Sequence, residues 1–323
     1  MGVQCTVKRT EKMQVAVLTE KGLELREAPI PECGPGQVLV RTVACGICSG
    51  EVYVYKSVIG GSPREAVMGH EGSGIVEAVG AGVDGFAEGD PVTSTGGRFA
   101  GYFISRPGSL VRLPAEVDPV WAMGEPLACV FHAARRFGIE FGDRVAILGC
   151  GFMGLMCLQA ALLRGPGYVC AMDTVPWRLD VAKRFGADEV YNPEEQSGNE
   201  LVERLGEFDV VIEAAGTSSA IDMSTDLVKQ HGRIVLVGYH LSNDGMRTVN
   251  MERWNFKSID VVNGHGRRGN EKRDAMRASV DLLRAGRLNT AELVTSYPLA
   301  KVGEAFQDLV NVKEGLFKVA LIP

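Results

Sequence analysis

No apolar run in the 323-residue chain is long enough to cross a bilayer, so a membrane-embedded role is not expected. No stripe of Lys and Arg could neutralise several phosphates, and the formal charge is -6, so nucleic acid is not an expected partner. The N-terminal MGVQCTVKRTEKMQ lacks the apolar core of a secretory signal, and the expected location is the cytoplasm. Cysteine is spread thinly, at 5, 33, 45, 48, 129, 150, 157 and 170, unlike the dense framework of a small disulfide scaffold. Cys150, Cys157 and Cys170 fall in apolar strand and helix patterns and read as small buried hydrophobes. What is present is a globular composition, 46% hydrophobic and 23% charged, on a chain long enough for more than one domain. One short basic segment, GHGRRGNEKR at 264–273, reads as a solvated loop.

The first third of the chain carries short β-like runs, QVAVLT, LELREAP, QVLVRTVA, GSGIVEAVG and SLVRLP. Gly and Pro turns such as ECGPGQ bound them, which suggests a partly open barrel or sandwich. From 143 to 264 strand and helix patterns alternate, beginning with DRVAILGCG into LMCLQAALLRG and YVCAMD into RLDVAKRFGA. That alternation predicts a parallel sheet with crossover helices. Beyond it, Ala275, Met276, Val280 and Leu283 recur at helical spacing, KVGEAFQDLVN predicts a second helix, and FKVALI a closing strand.

ILGCGFMG contains G-x-G-x-x-G at Gly149, Gly151 and Gly154, after the strand RVAIL and at the opening of a helix. Gly149 permits the tight turn, Gly151 lets a pyrophosphate approach the backbone, and Gly154 lets the helix lie close to the strand. The free amides at the helix start, among Phe152 and Met153, meet the phosphate charge. Asp173, nineteen residues after Gly154, can accept both hydroxyls of an adenosine ribose and would repel a 2'-phosphate, which favours NAD over NADP.

Cys48, in the turn TVACGICSGE, His70 and Glu71, in MGHEGSG, and the more distant Glu125, in MGEPLACVFHAARR, are the types that bind zinc. Spacing alone leaves two readings open. The C-x-x-C of Cys45 and Cys48 has no partner C-x-x-C, so a four-cysteine site is not supported, but a redox pair is a second possibility.

Taken together and in order, these motifs resemble the medium-chain zinc-dependent alcohol dehydrogenase superfamily, and its sorbitol (polyol) dehydrogenase branch most. The resemblance implies an α/β protein with a GroES-like β-barrel catalytic domain, residues 1–126 and 265–323, and a doubly wound Rossmann domain, 127–264. It implies that Cys48, not Cys45, is the first zinc ligand and His70 the second, that Glu71 lies beside the metal, and that Glu125 replaces a cysteine ligand. Arg178 and Gly216, in AAGTS, join the cofactor residues by the same resemblance. DPVTSTGGRFAGYFISRPG runs on without cysteine where the family carries its structural-zinc lobe, so one catalytic zinc and no structural zinc are expected. The implied activity is hydride transfer between a secondary alcohol (a polyol, cyclitol or natural-product alcohol) and NAD, by a cytoplasmic homodimer or homotetramer.

Two positions depart from the family turn, Gly50 where a relay hydroxyl stands and Glu51 where an aspartate supports a ligand. Gly50 can neither hydrogen-bond a substrate nor pass its proton. Tyr53, at the position of a relay histidine in some relatives, is a candidate replacement, and Glu51 and Glu71 are others. The loss also fits an alternative, a reductase of an iminium or activated double bond. Tyr53, Tyr55, Phe99, Glu125, His240 and the NGHGRR loop are expected to close the substrate cleft, with Arg98, Arg267 and Arg268 available to a substrate anion.

Overall fold

The computed structural model describes residues 12–62, 64–195, 197–266 and 269–323. Cys5, Arg267 and Arg268 lie outside them. The chain divides into a discontinuous unit, the stretch up to Ala128 with the stretch after Gly266, and a continuous unit, Cys129–Gly266.

The discontinuous unit opens with a hairpin of β1 (Lys12–Thr19) and β2 (Gly22–Pro29). Thr19 holds its two-residue turn by donating to Gly22 O and accepting from Lys21 N–H. Next come β3 (Val38–Gly46), α1 (Ser49–Ile59), β4 (Ala66–Val67), β5 (Glu71–Val79), β6 (Pro91–Ser94), β7 (Tyr102–Ser105) and β8 (Leu110–Arg112). β3 is buried at seven of its nine positions rather than at alternate ones. It lies inside the sheet, paired antiparallel with β5 and β7, and its side chains enter separate apolar clusters, Val38 and Val40 one, Ala44 a second and Cys45 a third. The division of the chain falls within α2 (Gly124–Ala134).

The continuous unit is built on β9 (Arg144–Leu148), α3 (Phe152–Leu162), β10 (Tyr168–Met172), α4 (Pro176–Arg184), β11 (Glu189–Tyr191), α5 (Gly198–Leu205), β12 (Phe208–Glu213), α6 (Ser218–Leu227), β13 (Val228–Leu236), α7 (Met251–Lys257) and β14 (Asp260–Asn263). Its six strands are all parallel, in the order β11-β10-β9-β12-β13-β14. That is the doubly wound order with a switch point between β9 and β12, where the carboxyl ends of the strands form a ligand crevice. The central strands β9, β10 and β12 are largely apolar and buried, as strands covered on both faces are; Ala146, Cys170 and Val211 are fully buried.

The chain then returns to the first sheet through α8 (Gly269–Arg284), β15 (Val294–Pro298), α9 (Val302–Val310) and β16 (Lys318–Ile322). β16 pairs antiparallel with β3, Ala320 opposite Gly46 and Leu321 opposite Cys45. α8 buries the helically spaced face read from its sequence, Met276 and Val280 meeting Val111, Leu113 and Val117. The described end of the basic segment is therefore the first turn of α8 and not a loop.

Phe99 corrects a second expectation. It is fully buried, edge-on to Phe306 at 6.0 Å, while Tyr55 lies 5.1 Å from the same ring. Phe99 is part of the apolar core with Leu18, Ile47 and Leu321 and does not line a cleft. A fully apolar ring beside strands that need covering gains more from burial than from a wet surface.

Candidate active site

Cys48 is the N-cap of α1, so its sulfur stands at the positive end of that helix. Glu51, at the third helical position, reaches back so that Oε2 accepts the Cys48 N–H at 3.0 Å, the reciprocal arm of a capping box. Its other oxygen accepts the Gly69 N–H at 2.7 Å and lies 3.1 Å from His70 Nδ1. One carboxylate thus ties the cysteine turn to the histidine segment. The longer side chain of glutamate suits the return to its own N-cap, which explains this residue at that position.

Glu71 opens β5 opposite Gly46, the last residue of β3. A Cβ at position 46 would fall on Glu71 Oε2 and on Met123 Sδ, so glycine there makes the floor over which Glu71 extends. The Cys48, His70 and Glu71 donor atoms lie within 4.8 Å of one another, the one such group found among the described residues. A thiolate sulfur, an imidazole nitrogen and a carboxylate oxygen at that separation fit zinc. With His70 Nδ1 toward Glu51, Nε2 is the ring atom left for a metal.

Burial works against a charge on His70, but its bonds to Cys48 and Glu51 and the nearby carboxylates outweigh that and push its pKa up to about 11. Burial holds the Glu71 carboxyl above the usual carboxylate range, and Lys318 offsets only part of that. Lys318, at the start of β16, donates to both Glu71 oxygens at 2.9 Å and to Ile47 O at 3.1 Å. Burial opposes the Lys318 charge, and Glu71 and Cys48 sustain it. Cys45 lies in the apolar core with its thiol pushed up by burial, a poor setting for a redox partner of Cys48.

Glu125 stands outside the three-donor group, and Lys272 of α8 donates to its Oε1 at 2.8 Å. Tyr53 is 43% exposed on α1, and Arg98 is exposed.

In the continuous unit, Gly149 has φ +94° and its α-carbon faces the Ala215 backbone, while a Cβ on Gly154 would strike Gly149 O. α3 starts at Phe152 with Gly151 as N-cap, and among the described residues no atom lies within 4 Å of the position a Gly151 Cβ would take. The loop can therefore receive a phosphate at the amides of Phe152, Met153 and Gly154. Asp173 is fixed at the end of β10, Oδ2 accepting Cys150 N–H at 2.7 Å and Oδ1 accepting Val175 N–H at 2.9 Å. Arg178 Nη1 is 3.7 Å from Asp173 Oδ2, and Arg178 Nε is buried without a hydrogen-bond partner among the described residues. A buried donor without an acceptor beside an Asp carboxylate fits a polar ligand such as a ribose.

Gly216 belongs to a second clamp. The fully buried Glu213 accepts the Ala215 and Gly216 N–H groups at 2.9 and 2.6 Å and bonds His240 Nε2 at 3.1 Å. Arg247 Nε donates to His240 Nδ1 at 3.0 Å, which leaves Nε2 as the proton-bearing nitrogen facing Glu213. His240, expected as a cleft wall, is thus a strut of the loop after β12.

Lys318, Lys272, Gly46 and Glu213 were not singled out from the sequence. The readable signal for Lys318 was a lysine opening an otherwise apolar strand, KVALI, since a buried ammonium requires a buried acceptor.

Residues 34–115 match the alcohol dehydrogenase GroES-like domain, and residues 153–284 the zinc-binding dehydrogenase domain. The chain belongs to the medium-chain, zinc-binding alcohol dehydrogenase family, enzymes that are zinc-dependent oxidoreductases linked to a nicotinamide cofactor. It is 31% identical to a sorbitol dehydrogenase of Halalkalibacterium halodurans, over 96% of this chain and 99% of that one. It is 29% identical to an erythritol/L-threitol dehydrogenase of Mycolicibacterium smegmatis, over 97% and 98%. A zinc-binding dehydrogenase of Sinorhizobium meliloti solved with NADP superposes with a TM-score of 0.86 at 26% identity, covering 97% of this chain and all of that one.

The floor beneath Glu71 generates a prediction. Gly46→Ala should displace the carboxylate from its place, taking it off Lys318 and out of the three-donor group, and breaking a buried pair of this kind costs about 3–5 kcal/mol. Thermal unfolding of the metal-free protein should show a clearly lower midpoint, with less zinc retained per chain after dialysis. An unchanged midpoint would mean that Glu71 turns aside without cost.

Proposed function

We propose that the chain catalyses reversible hydride transfer between a secondary alcohol of the polyol, cyclitol or natural-product type and NAD, with one zinc held by Cys48, His70 and Glu71. The observation that carries this reading is the convergence of those three donor atoms within 4.8 Å. The sorbitol and erythritol/L-threitol dehydrogenases among its relatives support the polyol class. When bound, zinc supplies Lewis acidity toward the substrate oxygen.

The chain's own residues do the rest. Glu51, with both oxygens committed to Cys48, Gly69 and His70, positions the two ligand segments and is not the proton carrier. Glu125, whose charge Lys272 offsets, stands in reserve as a ligand through water. Tyr53 keeps an exposed phenol on α1, two residues past Glu51, and takes the relay role that Gly50 lacks. In the cofactor unit the α3 amides receive the pyrophosphate, Asp173 the adenosine ribose, and Arg178 stands beside it.

The purified protein should contain one zinc per chain and oxidise secondary alcohols with NAD. Cys48→Ala and His70→Ala should lose the metal and, with it, roughly a thousandfold or more of activity, in line with the several kcal/mol a Lewis acid supplies. Metal analysis paired with an alcohol and ketone screen checks this. Full hydride transfer without zinc would instead establish the alternative, a zinc-independent reductase of an iminium or activated double bond.

Asp173 sets the cofactor preference in this reading. NADH should bind at least ~10-fold more tightly than NADPH, and Asp173→Ser should narrow the gap. Fluorescence titration of both cofactors into both proteins decides it; equal wild-type affinities would assign the 2'-phosphate to Arg178 instead.

Assembly is expected through β14, which stands at the edge of its sheet with Val261 exposed. Phe256 and Met251, exposed on α7 just before it, add apolar surface that a second copy would cover. Sedimentation at micromolar concentration should show a dimer or tetramer, shifted toward monomer by Val261→Asp; a monomeric wild type would rule this out.

A further inference from the structure

Lys318 is almost completely buried, and its three ammonium protons meet three acceptors, Glu71 Oε1, Glu71 Oε2 and Ile47 O. Ile47 immediately precedes Cys48, so the ammonium bears on both sides of the three-donor group. The carboxylate it grips is itself one of the three donors. Glu71 therefore faces two cations, a permanent one from β16 and whatever ion enters the cluster. A carboxylate oxygen bonded to an ammonium is a weaker ligand, and the ammonium also repels a dication drawn to the same place.

We propose that Lys318 competes with the metal for Glu71, stabilising the metal-free fold while holding zinc affinity below what the bare donor set would give. This rests on the reading of Cys48, His70 and Glu71 as the zinc site. It makes Lys318 a positioning residue, acting through the carboxylate and not on the substrate.

The experiment measures two quantities on the full chain, the unfolding midpoint of zinc-free protein and zinc affinity by competition with a chromophoric chelator. Lys318→Met should lower the zinc-free midpoint, because Glu71 is left buried without a counter-ion. It should also tighten zinc binding by about 10–100-fold, the range over which groups behind metal ligands act, here with the opposite sign. Lys318→Gln, which keeps amide donors for Glu71 and Ile47 but removes the charge, is the gentler variant and should move zinc affinity in the same direction. Combining Lys318→Met with Glu71→Gln should restore the midpoint and abolish the gain in affinity. A lysine with a merely structural role would lower stability and zinc affinity together. Zinc bound by the wild type with unchanged or weaker affinity in both single variants overturns this inference alone. Zinc bound by neither the wild type nor the variants overturns the site reading along with it.

Discussion

The cluster of Cys48, His70 and Glu71 depends on one carboxylate that is not itself among the convergent donors. Glu51 accepts a backbone N–H from each of the two segments that present ligands, and it orients the imidazole between them. Remove it, and the Cys48 and Gly69 N–H groups lose this acceptor and the imidazole loses the carboxylate at its Nδ1. A helix cap is ordinarily a local device worth about 0.5–2 kcal/mol. Here the same bond also fixes the separation of a thiol and an imidazole, so a local stabilising contact sets the geometry of a binding site.

The cofactor unit repeats the device with different residues. Asp173 ties the end of β10 to the glycine loop through Cys150 N–H, and Glu213 ties the end of β12 to Ala215 and Gly216. Both sit where parallel strands stop and their loops would otherwise be loose. A buried carboxylate is costly to desolvate, and it is retained at each place because two or more donors meet it. Such an arrangement gives loops the rigidity of the sheet while leaving their outer amides open to a ligand.

Much of this was legible along the chain. Period-two and helical patterns located most strands and helices, and the glycine loop was readable because strand, turn and helix agree around it. Cys48, His70 and Glu71 were readable because a specific motif carries them. What escaped has a common cause. Lys318 signals a buried acceptor by its apolar strand, but nothing in the chain names that acceptor, 247 residues earlier. Gly46 matters for what passes above it, and Phe99 looks the same in sequence whether it lines a cleft or fills a core. The 269–273 end of the basic segment was misread as loop because charge density says nothing about helical register: Lys272 faces Glu125 from the first turn of α8.

The order of strands in the first sheet has a consequence for how the protein is made. β3 lies between β5 and β16, and all of the nucleotide-binding unit is synthesised between those two neighbours. Until β16 docks, the Cys45–Gly46 end of β3 is unpaired on the side away from β5, and Glu71 lacks the Lys318 ammonium. The nascent first unit therefore carries an excess of negative charge around a thiol and an imidazole, in a half-open sheet, while the second unit already has every strand it needs. During synthesis the first unit therefore waits for the end of the chain, and a metal ion meeting the unfinished site would encounter its donors before the lysine that restrains them.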